Sequence, residues 1–363
     1  MIRNRIKIKK ERPLYIIAII LLFAALSLSV FLAVMFGSVR IPLRDVYGVI
    51  IHKTLGALGI SFGDAATYGS GVIHDVVWHI RLPRLLLAIA VGMGLSVCGA
   101  IMQAVVKNPL AEPYTLGISS GASLGATISI LLGVGVTFGK NYVGVMAFLG
   151  AFGISLAVVA LANVGGRATS VKLLLSGMAL SAICSAFSNF IVYIAHDKEG
   201  IQTVTYWMMG SLAGANWADL AVVFPIVLIA TLFFLTQYRT LNLMLLGDEV
   251  SITLGKDLHR WRQLYLLVSA AIVGFVVFSA GMIGFIGLII PHAVRMMFGT
   301  DHKKLIPICA LLGAIFLIWA DVLCRVLLKG MELPIGILTS MIGAPSFIYL
   351  MVKRKYGFGG AGQ

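Results

Sequence analysis

Long apolar runs without charged residues alternate with short polar segments along most of the chain. The runs are Leu14–Val39, Leu85–Val106, Pro113–Gly139, Asn141–Gly166, Leu173–Ala195, Leu220–Tyr238, Gln263–Val294 and Leu333–Val352, with a shorter run at Leu305–Ala320. A helix needs about 20 mostly apolar residues to cross a bilayer, so each run predicts one crossing. Gln263–Val294 is too long for one crossing, and Gly281, Gly284 and Gly287 divide it into two helices, the second short. The pattern predicts an all-α, polytopic membrane protein with ten transmembrane helices.

The amino-acid composition agrees with a chain whose main solvent is lipid. Hydrophobic residues make up 60% of the sequence and charged residues 12%, against about 25% charged residues in soluble domains. The formal net charge of +14 does not indicate nucleic acid as a partner, because no motif that reads RNA or DNA is present. The first apolar run is too long for the core of a signal peptide, which predicts a retained first span.

The distribution of basic residues predicts the orientation. Roughly two thirds of the 28 Lys and Arg residues fall in segments that alternate crossings place on one side, and such segments are usually cytoplasmic. These segments are 1–13, 107–112, 164–172, 237–262, 295–304 and 353–363. Both termini are therefore expected in the cytoplasm. The predicted organisation is a basic N-terminus (1–13), a single transmembrane domain (14–353) and a cytoplasmic tail (354–363).

Sequence signatures of catalysis and nucleotide binding are missing from the chain. The phosphate-binding loop GxxxxGK[ST] would be needed to bind ATP, but Gly139-Lys140 and Gly255-Lys256 are followed by Asn141 and Asp257. Neither HExxH nor GxSxG occurs. The isolated cysteines Cys98, Cys184, Cys309 and Cys324 are interpreted as small packing residues. We expect no catalytic residue and no metal ligand.

Two other classes of protein remain as alternatives. A secondary transporter driven by an ion gradient would need an ionisable residue inside a span, and Asp321 is the nearest candidate. Arg325 lies four residues further on and can pair with it on the same helical face, which is more typical of a helix end than of a proton relay. A membrane-embedded enzyme would have to use His292 and Arg295, which are three residues apart at a predicted helix end.

One compact polar block stands out between two apolar runs. It is Leu245–Gly255 (LLGDEVSITLG), within the predicted cytoplasmic loop 239–262, and glycines bound it. A transporter without an ATP site of its own needs a partner that supplies energy. The block is therefore interpreted as the surface on which such a partner docks.

Five ordered sequence blocks occur in the rest of the chain. They are HIRLPRLL (His79–Leu86), GAIMQAVVKNPLAEPYTLGISSGA (Gly99–Ala122), GMIGFIGLIIPHAVRMMFGTDHKKLIP (Gly281–Pro307), ADVLCR (Ala320–Arg325) and ELPIGILTSMIGAPSFIYL (Glu332–Leu350). In these blocks the sequence resembles the FecCD family of ABC-importer permeases, the type II importers, and the resemblance runs from about Arg81 to the C-terminus, most of the chain.

The resemblance implies a permease subunit of ten helices that is not an enzyme. Two copies, or one copy and a related permease, would pair around a pathway in the bacterial or archaeal cytoplasmic (inner) membrane. A cytoplasmic ABC ATPase dimer would bind ATP and Mg²⁺, so this chain would carry no cofactor. A periplasmic or lipid-anchored binding protein would deliver the cargo, which is a ferric siderophore, haem or cobalamin. The sequence does not select among these cargoes.

The resemblance also assigns roles to three groups of residues. ATPase coupling is expected at Leu246, Gly247, Asp248, Glu249, Ser251, Leu254 and Gly255, where the family pattern LG-x-x-x-A-x-x-LG forms two short helices. Ser251 replaces the usual alanine and is small enough to pack as closely.

Docking of the binding protein is expected at Arg81, Arg84 and Arg325, because a guanidinium binds a carboxylate through two hydrogen bonds. The cytoplasmic gate is expected at Asn108, Leu110 and Ser170, beside Pro109 and Pro113, which disfavour helical backbone.

Overall fold

The computed structural model describes residues 2–37, 41–60, 68–328 and 330–353, and the regular elements in these ranges are helices. The expected tail 354–363 lies outside the described residues, as do the side chains of segment 1–13. The α-helices are α1 (Ile2–Ala33), α2 (Leu43–Ala57), α3 (Val72–Asp75), α4 (Leu82–Val106), α5 (Ile118–Leu132), α6 (Tyr142–Asn163), α7 (Ser170–Ile194), α8 (Lys198–Met208), α9 (Trp217–Thr236), α10 (Tyr238–Leu246), α11 (Asp248–Thr253), α12 (His259–Ala280), α13 (Ile286–Phe298), α14 (His302–Val326) and α15 (Ile335–Lys353). A π-helical stretch, Val76–Arg81, joins α3 to α4, and 3-10 turns occur at Pro113–Leu116 and Val136–Phe138.

Ten apolar helical segments in the described residues correspond to the ten predicted crossings. Seven helical segments in the described residues are long and apolar enough to cross a membrane, and three shorter apolar helices, α5, α13 and α15, complete the set. The division of the longest apolar run is confirmed, because α12 ends at Ala280 and Gly281 has a positive φ of 65° before α13 begins.

The second and third spans begin at different residues from those predicted. The second span starts at Val72 instead of Leu85, because Arg81 and Arg84 bond to groups of the chain itself and can therefore lie inside the helix. The third span is shorter than predicted, because α5 begins only at Ile118. The residues before it form a 3-10 turn at Pro113–Leu116, and Gly117 has a positive φ of 86°.

Helix α4 is the centre of the fold. Almost all of its side chains are buried, and it packs against α9, α12, α13 and α14. The contacts depend on small residues, since a Cβ at Gly92 would overlap the carbonyl of Gly313 and one at Gly99 would overlap that of Gly287. Such close approach replaces the hydrophobic driving force that lipid does not provide between helices.

The four cysteines are buried and unpaired, as the packing interpretation expects. Cys98 and Cys309 lie on α4 and α14, which pack against one another in the core.

Candidate functional site

The polar block forms two short helices joined by a glycine. Helix α10 ends at Leu246, Gly247 has a φ of 102°, and α11 runs from Asp248 to Thr253. Gly255 also has a positive φ, 78°, a region that favours glycine. The pair of short helices with glycine hinges that the sequence predicts is therefore present, and we call residues 238–255 the coupling block.

Two buried side chains fix the coupling block to the rest of the protein. Ser251 is fully buried, and its Oγ lies 2.6 Å from the carbonyl oxygen of Gly247 and 3.1 Å from that of Leu243, on α10. Arg262, at the start of α12, binds both carboxylate oxygens of Asp248 and donates to the carbonyl of Ala168 at 3.3 Å. The serine hydroxyl thus connects the two short helices, and Asp248 anchors the block instead of pointing freely outward.

A second ion pair lies beside the block. The guanidinium of Arg167 is 3.3 Å from the carboxylate of Asp257. The backbone N–H of His259 donates to the same carboxylate at 2.9 Å. The pKa of Asp257 lies below its ordinary value. The hydrogen bond from His259 is the main cause, and the neighbouring basic side chains add to it.

Four large apolar side chains are exposed on the outer surface of the coupling block. Leu246, Val250, Ile252 and Leu254 are exposed, with Leu254 at 62%, and the acidic Asp248 and Glu249 are exposed beside them. The backbone that carries these side chains is held by Ser251 and Arg262. A set of exposed apolar side chains on a fixed base, at a polar end of a membrane protein, is typical of a protein-binding surface.

The predicted gate residues lie next to the coupling block. Helix α4 ends with a left-handed Lys107 (φ 56°), and Asn108 Oδ1 then accepts a hydrogen bond from the Leu110 backbone N–H at 2.9 Å. Ser170 Oγ donates to the carbonyl of Val105 at 3.3 Å. A Cβ on Gly247 would lie 2.7 Å from Lys107 Nζ, so the loop after α4 and the block are in close contact.

Glu112 connects the same loop to α13. Its carboxylate accepts a hydrogen bond of 2.6 Å from the backbone N–H of Phe285, the residue before α13, which has a φ of 69°. Burial raises the pKa of Glu112 to about 7, and the hydrogen bond from Phe285 opposes this rise.

The three predicted docking arginines lie together at the opposite end of α4. Arg81, Arg84 and Arg325 line one cavity of about 230 Å³, together with Gly37, Val76, Ile80 and Glu332. Arg84 binds Asp321 at 2.9 Å and Glu332 at 2.8 Å, and Arg325 binds the second oxygen of Asp321 at 3.0 Å. Arg81 donates to the carbonyls of Val34 and Met35. We call this group the arginine cavity.

The ion pairs in the arginine cavity were only partly predictable. The Asp321–Arg325 pair at i,i+4 is present as predicted. Arg84 and Glu332 join it from distant parts of the chain, and no local pattern indicates this. The contact between Arg262 and Asp248 was also missed, although a basic residue at the start of an apolar helix is a signal that could have suggested it.

One residue of the pair that an enzyme would have to use, Arg295, bonds to a neighbouring helix. Arg295, on α13, donates a hydrogen bond to Gln103 Oε1 on α4. His292 is half-buried on the same helix. The partner of Arg295 therefore belongs to another helix, and not to the local helix end that the sequence predicts.

Comparisons with known proteins agree with this arrangement. A model of the FecCD transport family matches residues 22–353. The ABC transporter permease YvrB of Bacillus subtilis is 34% identical, and the alignment covers 98% of both chains. The hemin transport system permease HmuU of Yersinia pestis is 40% identical over 83% of this chain and 90% of its own length, and the cobalamin import permease BtuC of Halobacterium salinarum is 40% identical over 82% and 79%. A solved metal-chelate type ABC transporter in an inward-facing conformation superposes with a TM-score of 0.78, at 29% identity, over 93% of this chain and 99% of that one.

Proposed function

The chain belongs to the FecCD transport family and is a membrane-spanning permease of an ABC importer, and we propose that it passes a metal chelate, such as a ferric siderophore, haem or cobalamin, into the cytoplasm. A separate ABC ATPase dimer, with ATP and Mg²⁺, supplies the energy. A binding protein outside the membrane supplies the cargo, and two permease copies enclose the pathway. Both termini lie in the cytoplasm.

The exposed apolar surface of the coupling block carries the proposal. Leu246, Val250, Ile252 and Leu254 protrude from a base that Ser251 and Arg262 hold in place. Short anchored helices can transmit the closure of an ATPase as a rigid movement, whereas a flexible loop would absorb it. We assign this surface to the ATPase.

Leu254→Asp is expected to lower cargo uptake at least tenfold, because a charge at the centre of an apolar interface costs binding energy. Roughly 1.4 kcal/mol corresponds to this factor. The measurements are uptake by cells that express the importer and the amount of ATPase that co-purifies with the permease. Because Leu254 is 62% exposed, the temperature of thermal unfolding should stay unchanged.

Leu58→Asp is the matched control, since Leu58 is also an exposed leucine (74%), at the end of α2. Uptake should remain normal in this variant. Normal uptake and normal ATPase recovery in Leu254→Asp would contradict the coupling role.

The arginine cavity is assigned to the binding protein. Its volume of about 230 Å³ accommodates a carboxylate side chain, and three guanidinium groups face one exposed acid, Glu332. A carboxylate of the partner would replace the carbonyl contacts of Arg81 or the Glu332 contact of Arg84. Charge-assisted pairing of this kind also speeds association.

Arg81→Glu is expected to weaken binding of the loaded binding protein at least tenfold, because it places a second acid in the cavity. Affinity for the purified permease in detergent is the measurement, and thermal unfolding shows whether the variant is folded. Lys198→Glu, a charge reversal at the start of α8, should bind normally. Equal affinity of folded Arg81→Glu and wild type would remove Arg81 from the docking site.

The gate is assigned to the loop at the end of α4. Asn108 and Leu110 form a tight turn there, and Ser170 on α7 contacts the last turn of α4. The turn touches the coupling block through Lys107. Movement of the block would therefore reach the narrow end of the pathway over a short distance.

A proton relay through Asp321 is disfavoured by its surroundings. Its two oxygens are held by Arg84 and Arg325, so the carboxylate is the common counter-ion of two arginines at the end of a helix. This structural role favours an ATP-driven importer over a carrier driven by an ion gradient.

A further inference from the structure

A histidine–carboxylate cluster lies immediately before the arginine cavity. His74 and Asp75 end α3, and His79 lies in the π-helical stretch that follows. His74 Nδ1 is 3.0 Å from Asp75 Oδ1, and the two imidazole rings meet edge to face with centroids 5.6 Å apart. One donor atom from each of the three side chains lies within 4.8 Å of the others.

The π-helical stretch explains why residues five apart come together. In an α-helix with 3.6 residues per turn, positions i and i+5 point about 140° apart. The i→i+5 hydrogen bonds of Val76–Arg81 widen the turn and bring His79 back toward His74. π-helical turns of this kind are frequent at functional sites.

The backbone of this stretch is fixed by packing. Val77 is fully buried, and the carbonyl of Trp78 accepts a hydrogen bond of 2.8 Å from Trp217 Nε1, on α9. The relative positions of His74 and His79 are therefore set by the fold before any ligand arrives.

The environment of His74 is not that of an ordinary structural histidine. The residue is only 5% exposed, yet its Nε2 is buried without a hydrogen-bond partner. Buried polar groups in folded proteins are nearly always bonded. Its other nitrogen faces Asp75, whose side chain is largely exposed, and a pair of that kind contributes little stability. The fold gains little from an imidazole at this position.

We propose that His74, Asp75 and His79 form a binding site for a divalent transition-metal ion of the Zn²⁺, Co²⁺ and Ni²⁺ class. Two imidazoles and one carboxylate are a common ligand set for such ions, whereas Ca²⁺ and Mg²⁺ prefer oxygen ligands alone. Bonds of about 2.0–2.2 Å require donor atoms about 3.4 Å apart. Small rotations of the exposed side chains of Asp75 and His79 supply that closure, while the buried His74 stays in place.

The ion takes the place of the direct contact between His74 Nδ1 and Asp75 and leaves at least one coordination position open. The site departs from the sequence-based expectation of no metal ligand. It is separate from the proposed import of a chelate, because it needs only the fold of residues 72–81. Val76 and Ile80, from the same stretch, line the arginine cavity, so a bound cation would add positive charge beside Arg81.

Titration of the full-length chain with Co²⁺ tests the proposal. The protein is purified in detergent with a histidine-free tag and stripped of metal with a chelator. We expect visible absorption bands that saturate at one Co²⁺ per chain and disappear on addition of Zn²⁺ but not of Mg²⁺. His79→Ala and Asp75→Asn should each weaken Zn²⁺ binding by at least roughly tenfold in calorimetry. Both side chains are exposed, so metal-free unfolding temperatures should not change.

His196→Ala is the control, because His196 is another exposed histidine, bonded only locally to the carbonyl of Ile194. It should bind Co²⁺ and Zn²⁺ like the wild type. The proposal is overturned if the wild type gives no Co²⁺ bands, or if His79→Ala and Asp75→Asn bind Zn²⁺ as tightly as the wild type. Uptake measurements are not part of this test, so failure of the metal site would leave the proposed import function standing.

Discussion

Asp321→Ala is expected to lower the free energy of unfolding by about 3–5 kcal/mol, the usual cost of removing one partner from a buried ion pair. Asp321 is 2% exposed, and its two oxygens bind Arg84 at 2.9 Å and Arg325 at 3.0 Å. The variant leaves two buried guanidinium groups without their common counter-ion, and only Arg84 keeps an acidic partner, Glu332. Thermal unfolding in detergent, together with the yield of folded protein, measures the effect.

Glu332→Ala is the matched control for Asp321→Ala. It also removes an acidic partner of Arg84, but the Glu332 side chain is 43% exposed, so water can solvate the guanidinium in its place. The loss should be about 1 kcal/mol or less. If both variants unfolded at the wild-type temperature, the buried ion pairs would not hold the ends of α4 and α14 together.

Gly99→Ala is expected to destabilise the protein by about 1–3 kcal/mol or more. The added Cβ would overlap the carbonyl group and Cα of Gly287. These are backbone atoms, which cannot move aside by a change of rotamer, so α4 and α13 would have to separate. The Gln103 side-chain amide, which donates to the same carbonyl at 3.3 Å, would lose its partner. Thermal unfolding and expression level are the measurements.

Gly153→Ala separates this packing effect from the general effect of replacing glycine. Gly153 also lies inside a long helix, α6, but a Cβ there meets nothing within 4 Å. Alanine has a higher helix propensity than glycine, so stability should stay equal or rise by up to about 1 kcal/mol. Equal unfolding temperatures for the two variants would show that the α4–α13 contact is not close.

The number and order of the helices could be predicted because lipid imposes a strong local pattern. Each span needs its own apolar run, and Gly281 interrupts the longest run with a positive φ that an ordinary side chain would resist. The predicted start of the second span was wrong for a related reason. The basic residues Arg81 and Arg84 look like a polar boundary in the sequence, but their partners, Val34 and Asp321, are far away along the chain.

The candidate sites were predictable only where their geometry is local. The hinge at Gly247 and the i,i+4 pair of Asp321 and Arg325 follow from short-range spacing and are present. The anchoring of Asp248 by Arg262 depends on how α11 folds back onto α12, which spacing alone does not determine. The meeting of His74 and His79 depends on a π-helical turn, for which the sequence shows no signal.

The anchors of the coupling block determine which helices can slide as one body. Arg262 belongs to α12 and bonds both to α11 and to the backbone just before α7. Helix α10, the other half of the block, packs directly against α4, and the hydrogen bond from Ser170 to Val105 joins α7 to the last turn of α4. A load applied to the block would therefore be shared by α4, α7 and α12, which would move together as one rigid unit.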